Sequence, residues 1–327
     1  MSMSHDLATR AELTKLARAL DTTEDRVAFL GSLEAAEIHE LREAASATMH
    51  DRHRELYQRI AKASTLLPPA LCVRIAERAF PPMITSKVAA EIGTDRVGEF
   101  AKRLSVGYMA DVCVSIDPRK VRELISQVPV ERATEVAREL VDREEYVTLG
   151  RMIDAATERL VRAAVAVITS DVALLWIAFY AESEAHLTSA VRALPAERIR
   201  SVVHTALTGT VELHAAGLAL IARVDDAELR GTLAGHAAEV PAEALDGLLR
   251  TVVRDGFEPE LLTVLASMPE DALRQLATRD ALADRDTLLA LARAAERGGH
   301  ADRLRPLLDH AGPELRATLT EAGFDLG

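Results

Sequence analysis

Between Gly93 and Leu140 the apolar positions recur every twelve residues. The chain there divides into GTDRVGEFAKRL, SVGYMADVCVSI, DPRKVRELISQV and PVERATEVAREL. The fifth position reads Val97, Met109, Val121, Ala133, and the eighth reads Phe100, Val112, Leu124, Val136. The ninth reads Ala101, Cys113, Ile125, Ala137, and the twelfth reads Leu104, Ile116, Val128, Leu140. Spacings of three, four and seven put these residues on one face of a helix. Each segment also opens with helix-starting chemistry: Thr94-Asp95, Ser105, Asp117-Pro118 or Pro129. A hydroxyl or carboxylate there accepts from a first-turn N–H, and proline lacks a donor that would go unpaired anyway. The pattern predicts consecutive short helices, each ended by the cap of the next. Helices this short are unstable alone, so they are expected to stack and bury their stripes against their neighbours. Pro69 and Pro81 continue the spacing backwards through LCVRIAERAF and MITSKVAAEI.

The seventh position is acidic every time: Glu99, Asp111, Glu123, Glu135. Arg96, Lys120 and Arg132 lie three residues before three of them, so i,i+3 ion pairs are expected. We read this column as a solvated, ion-paired face and not as a ladder that collects divalent cations.

Beyond Leu140 the period lengthens. Leu160, Leu229, Leu273 and Leu315 occupy similar motifs 69, 44 and 42 residues apart, while Pro129, Pro195, Pro241 and Ala283 are separated by 66, 46 and 42. The two sets of landmarks agree on helical hairpins near the HEAT and armadillo periods. The first interval is too long by one extra helix, placed at Asp171 to Arg192, with Ser170-Asp171 as its N-cap. Ahead of the array, residues 7–65 read as three or four amphipathic helices, one capped by Thr22-Thr23-Glu24-Asp25. LTKLARALDTTEDRVAFL suggests a helix-turn-helix only generically, because no basic recognition helix follows.

Composition agrees with an all-α chain. Aromatic residues are 3% of the 327, and glycine and proline together number 28, whereas strand-rich proteins lean on aromatics and frequent turns. The net charge of −12 argues against nucleic acid and anionic membranes as partners. The acidity is uneven, with 16 acidic against 8 basic residues between Asp225 and Asp302. Cys72 and Cys113, the two cysteines, make neither a disulfide framework nor a zinc site, and a reducing cytosol suits them. Met1 to Leu20 lacks an uninterrupted apolar core, so no signal peptide is expected. Ala163 to Ala181 is the most apolar stretch, but Asp171 interrupts it and membrane insertion is not expected.

The phased helices from about Pro81 to Leu140 resemble the intracellular N-terminal domain of MgtE-type magnesium transporters. The residues that carry the resemblance are Asp117-Pro118-Arg119-Lys120-Val121, Val128-Pro129-Val130-Glu131-Arg132 and the four apolar columns. The middle of the flagellar motor switch protein follows a related plan. The resemblance covers under a third of the chain and implies a right-handed superhelix of short stacked helices that docks against other proteins. Neither CBS-like strands nor membrane spans accompany it, so it does not imply magnesium transport. In its overall layout the chain also resembles uncharacterised bacterial helical-repeat proteins.

Catalytic motifs are scarce. The chain holds no glycine-rich phosphate loop, G-x-S-x-G, H-E-x-x-H or EF-hand loop. His50 and His53 with Asp51 and Glu55, and Glu182 with His186, are half-sites for a metal at best; surface histidines explain them more simply. The adjacent carboxylates Glu144-Glu145 and Asp225-Asp226 point to different faces. Neither cysteine has a basic partner in sequence. Trp176, Phe179 and Tyr180 gather three of the eleven aromatics on one helix that is apolar almost all round. Core is the default for such a helix, followed by an interaction surface or the wall of an apolar pocket.

The expected organisation is therefore an N-terminal helical segment at 1–68, a short-helix superhelix at 69–168, an extra apolar helix at 169–193 and helical-hairpin repeats at 194–327. The leading functional expectation is a non-enzymatic cytoplasmic module for protein interaction or self-assembly, with no catalytic, cofactor or metal residues. The alternative is a carrier or sensor of an apolar small molecule near the Asp171–Arg192 helix.

Overall fold

A computed structural model describes residues 7–298, 301–310 and 312–321. His300 and the first six residues of the Met1–Leu20 segment lie outside it. Among the described residues there are α-helices and short 3-10 turns and no strand, so the fold is all-α. Chain contacts divide the described residues into two compact units, one of Thr9–Ala193 and the other of those from Leu194 on together with Leu7 and Ala8.

The first unit contains α1 (Leu7–Ala19, entering at Thr9), α2 (Glu24–Val27), α3 (Ala35–Asp51) and α4 (Arg54–Ser64). It continues with α5 (Pro69–Ala79), α6 (Pro82–Ala89), α7 (Val97–Arg103), α8 (Val106–Ser115), α9 (Arg122–Ser126) and α10 (Val130–Asp142). Four further helices complete it: α11 (Tyr146–Ile153), α12 (Glu158–Val167), α13 (Asp171–Tyr180) and α14 (Glu184–Arg192). The twelve-residue segments thus become α7, α8, the Pro118–Val121 turn with α9, and α10. Each starts where the cap chemistry sits, and the Asp117 carboxylate accepts from the Arg119 N–H at 3.2 Å.

Packing runs from each helix to the second one along. α4 packs on α6, α5 on α7, α6 on α8, α8 on α10, α10 on α12, and α11 on α13. Two arginines from the basic column stitch this arrangement. Arg132 donates to the carbonyls of Ala101 and Leu104, which end α7. Arg96 donates to the carbonyls of Ser64, which ends α4, and of Leu67 on the turn that follows. A guanidinium suits the unpaired carbonyls and negative dipole at a helix C-terminus. The i,i+3 expectation needs correction here. Arg132 does reach Glu135, but Arg96 is drawn to the earlier helix, and its guanidinium lies 5.0 Å from the Phe100 ring centre.

The extra helix is also corrected. Ser170 caps it as expected, accepting from the Ala173 N–H at 3.1 Å, but the helix stops at Tyr180. Ser183 caps a second helix by accepting from the His186 N–H at 3.3 Å. Asp154 accounts for the break, because its two carboxylate oxygens accept the Glu182 and Ser183 N–H groups at 3.0 Å each. Gly150 lets α11 approach α13 closely: a Cβ there would lie 2.7 Å from the Tyr180 backbone.

The second unit holds α15 (Ala196–Thr208), α16 (Val211–Arg223), α17 (Ala227–Gly235), α18 (Ala242–Asp255) and α19 (Glu258–Leu265). It ends with α20 (Glu270–Ala277), α21 (Asp280–Ala283), α22 (Arg285–Arg297), α23 (Ala301–Asp309) and α24 (Pro313–Glu321). Pro195 and Pro241 immediately precede α15 and α18, and Asp226 caps α17 through the Glu228 and Leu229 N–H groups at 3.0 Å each. Gly256 ends α18 at φ 80°, a left-handed conformation glycine adopts without strain. No helix among the described residues is long and apolar enough to cross a membrane.

Candidate functional site: an apolar cavity in the first unit

All sixteen residues of the four apolar columns line a single cavity of about 550 Å³. This alters the meaning of the twelve-residue repeat. The stripes do point inward, but they surround open space in addition to touching one another. Val121, Leu124, Val136 and Leu140 are buried, while Val97, Phe100, Met109, Ile125 and Val128 stay half-buried because they face the void. Side-chain volume explains the difference from the expected stacking. Ala101, Cys113 and Ala137 hold three of the four ninth positions and Ala133 one of the fifth, and side chains this small cannot reach across.

The wall extends past the repeat. α4 supplies Ile60, Ala63 and Ser64, α5 and α6 add their inner faces, and α11, α12 and α13 close the other side with residues such as Leu149, Val161 and Ile177. None of the lining side chains is ionisable as a carboxylate, amine, guanidine or imidazole. The few polar groups are already engaged. Ser64 donates its hydroxyl to the Ala61 carbonyl at 2.6 Å, and Thr85 shares a 2.6 Å hydrogen bond with the Tyr108 hydroxyl. The Cys72 thiol points to the Ser64 carbonyl at 3.4 Å. Burial pushes the Cys113 thiol up to about 12, so it remains a neutral, soft wall group and not a nucleophile.

Size and chemistry both separate this space from a packing defect. Small-molecule pockets span roughly 300–1,000 Å³, and protein interiors otherwise leave few voids larger than a water molecule. Benzene occupies a dry cavity of about 150 Å³; by proportion this one has room for roughly 20 carbon atoms.

The wall residues that are also exposed are Ala63, Leu67 and Ile75, which places the mouth where α4 ends and α5 begins. The three aromatics singled out in the sequence lie elsewhere. Trp176, Phe179 and Tyr180 stack on one another, with ring centres 5.1 to 6.2 Å apart, and none of them lines the cavity. Their helix contributes Leu174 and Ile177 instead. Burial, with the Glu24 charge, raises the Tyr180 hydroxyl, although a hydrogen bond with Thr14 works against it.

A second cluster in the same unit is ionic. Arg42 on α3 is fully buried and donates to Glu12 at 3.1 Å and Glu182 at 2.8 Å. Lys15 donates to Glu12 at 2.7 Å, and Arg151 lies 3.6 Å from Glu182. Burial alone would raise the Glu12 carboxyl, but Lys15 and Arg42 outweigh it and hold the group below its ordinary value. Glu12, His39 and Glu182 have ligand atoms close enough to share a metal ion. Arg42 and Lys15 already bring positive charge to both carboxylates, so a cation there would meet like charges. We read the cluster as the tie between α1, α3, α11 and the α13–α14 break. The other half-sites are likewise structural. His50 is buried, which corrects its reading as a surface histidine, and lies 3.0 Å from Glu91, which also accepts from Arg54 and Gln58, while His186 lies 3.5 Å from Asp154.

No protein-family model matches this chain, and no curated protein sequence matches it significantly.

Proposed function

We propose that the protein binds and shields an uncharged, hydrocarbon-like small molecule of roughly 20 carbon atoms, acting as a carrier or sensor. The observation that carries the reading is the cavity itself, an apolar space of about 550 Å³, open at its mouth, whose wall has no charged side chain. A buried carboxylate or phosphate would find no partner inside, so any polar end of the ligand belongs at the mouth. The expectation of an assembly module rested on scarce catalytic motifs and helical periodicity; a ligand-sized apolar space is the more specific feature. Nothing in the wall suggests chemistry performed on the bound molecule.

Diphenylhexatriene, an uncharged hydrocarbon of suitable size, is the direct probe. Titrated against the purified full-length chain, its fluorescence should rise and saturate near one equivalent. Native mass spectrometry of the same protein should reveal a co-purifying apolar mass or an apo form that takes up the probe. An apo protein that never binds the probe would sink the reading.

A further inference from the structure

The mouth of the cavity is surrounded by apolar side chains that nothing covers. Leu66 is 83% exposed and stands on the turn between α4 and α5, beside Leu67, which both lines the cavity and meets solvent. On α5, Leu71 and Ile75 are exposed one turn apart. Met83, at the start of α6, is 56% exposed. Burying such residues is the usual rule, and a contiguous exposed set marks a contact surface. α5 is unusual as a helix in its own right, because Val73 is its only buried residue.

Charge then indicates what meets this lip. The chain carries −12 overall, yet residues 54–103 hold nine basic and five acidic side chains. Arg74 and Arg78 lie three and seven residues after Leu71, on the same face of α5 as Ile75. They are exposed, as are Lys62 near the end of α4 and Lys102 and Arg103 at the end of α7, which packs beside α5. Among the described residues none of these five makes an ion pair. Of the five acids, Glu77 is occupied by the Ser105 N–H at 2.7 Å, Glu55 pairs with Arg59 and Glu91 with Arg54, leaving Asp95 on the Thr94–Arg96 turn and Glu99 in the first turn of α7. Exposed leucines flanked by unpaired lysine and arginine are the make-up of a surface that sits in the interfacial layer of an anionic bilayer.

We infer that the Leu66–Ile75 lip docks the cavity mouth on an anionic lipid surface, so that the apolar ligand passes between bilayer and cavity without crossing water. This rests on the ligand-binding reading above and adds the source of the ligand. It also reverses, for one face, the expectation drawn from net charge alone. No span is involved: the lip lies on the membrane.

Vesicle flotation of the full-length protein tests this, with diphenylhexatriene binding in solution measured in parallel. With phosphatidylglycerol mixed into phosphatidylcholine at low salt the protein should float. It should stay behind with phosphatidylcholine alone, or when salt is raised. Leu66→Asp and Leu71→Asp should abolish flotation, and Arg74→Glu with Arg78→Glu should weaken it at least several-fold. Because Leu66 does not line the cavity, Leu66→Asp should leave probe binding intact, which also shows that the variant is folded. Flotation unchanged by these substitutions would overturn the docking inference, as would no flotation by a wild-type protein that binds the probe. A wild-type dimer in light scattering that Leu66→Asp converts to a monomer would assign the lip to a second copy and equally overturn it. Failure of probe binding itself would strike the ligand reading first.

Discussion

The two units use similar helix formers and opposite interiors. In the second, inward residues meet other side chains at close range. Leu249, Leu265, Leu282 and Leu291 are fully buried, and a Cβ on Gly217 would come within 2.6 Å of the Ala206 methyl. In the first, Ala101, Cys113, Ile125 and Ala133 end at open space. The lesson is that periodicity identifies the inward face of a helix but not what that face meets. Whether it meets a neighbour or a void depends on side-chain volume set against helix spacing, and leucines close the gap where alanines, valines and a cysteine do not.

Truncation should separate the two interiors most strongly. Leu249→Ala in the packed unit is expected to cost about 2–5 kcal/mol, the range for a buried leucine whose site cannot collapse. Ile125→Ala removes three carbons, yet the side chain is half-buried and already borders empty space. Its cost should be nearer 1 kcal/mol, the transfer of partly buried methylenes at ~0.8 kcal/mol each. Denaturant unfolding of both variants decides the matter, and equal losses would mean that the cavity wall is as tightly supported as the packed core.

Enlarging side chains should produce the reverse asymmetry. Ala216, fully buried on α16, has no room, and Ala216→Leu should destabilise by about 1–3 kcal/mol through overpacking. Ala133→Leu points into the cavity and should change stability by under about 1 kcal/mol. It should also lower the affinity for diphenylhexatriene several-fold by occupying the ligand's space. A thermal melt and a probe titration on each variant give both numbers. Undiminished probe binding by a folded Ala133→Leu protein would move the binding site out of this cavity.

Much of this was legible in the chain, for reasons specific to each feature. The twelve-residue register and its proline and Ser/Asp starts give the helices of the first unit because caps and spacing are local properties. The same columns all belong to the cavity wall, without revealing that a cavity exists or that α4–α6 and α11–α13 complete it. The small residues at the ninth position, Ala101, Cys113 and Ala137, were the available signal. Trp176, Phe179 and Tyr180 drew attention by their rarity, yet they pack with one another while Leu174 and Ile177 from the same helix face the space. The buried ionic cluster was not readable, since Glu12 on α1, Arg42 on α3 and Glu182 in the α13–α14 break are far apart in sequence. The Asp154 carboxylate that divides Asp171–Arg192 into two helices is equally remote from the break it creates.

That cluster yields the smallest expected difference between the units, and its sign follows from the direction of the shifts. Glu12 and Glu91 are held below the ordinary value of 4.5 despite the upward push of burial, Glu12 by Lys15 and Arg42, Glu91 by hydrogen bonds from His50, Gln58 and Arg54. Their stabilisation is therefore complete above about pH 4.5 and is lost as pH falls through their folded values. Asp154 opposes this in part, because burial outweighs its backbone hydrogen bonds and raises it. In the second unit burial raises Glu258, so protonating it relieves a penalty, while the lowered carboxylates there, Glu239 beside His236 and Asp284 beside Thr287, sit at the surface where solvent screens them. Acid should consequently loosen the first unit before the second. Trp176, the sole tryptophan, belongs to the first unit, so its fluorescence reports that unit alone while circular dichroism reports both. In an acid titration the tryptophan transition should precede the main loss of helix, and Glu12→Gln should move it to higher pH; coincident transitions unaffected by Glu12→Gln would show that the ionic tie does not govern the acid stability of the cavity unit.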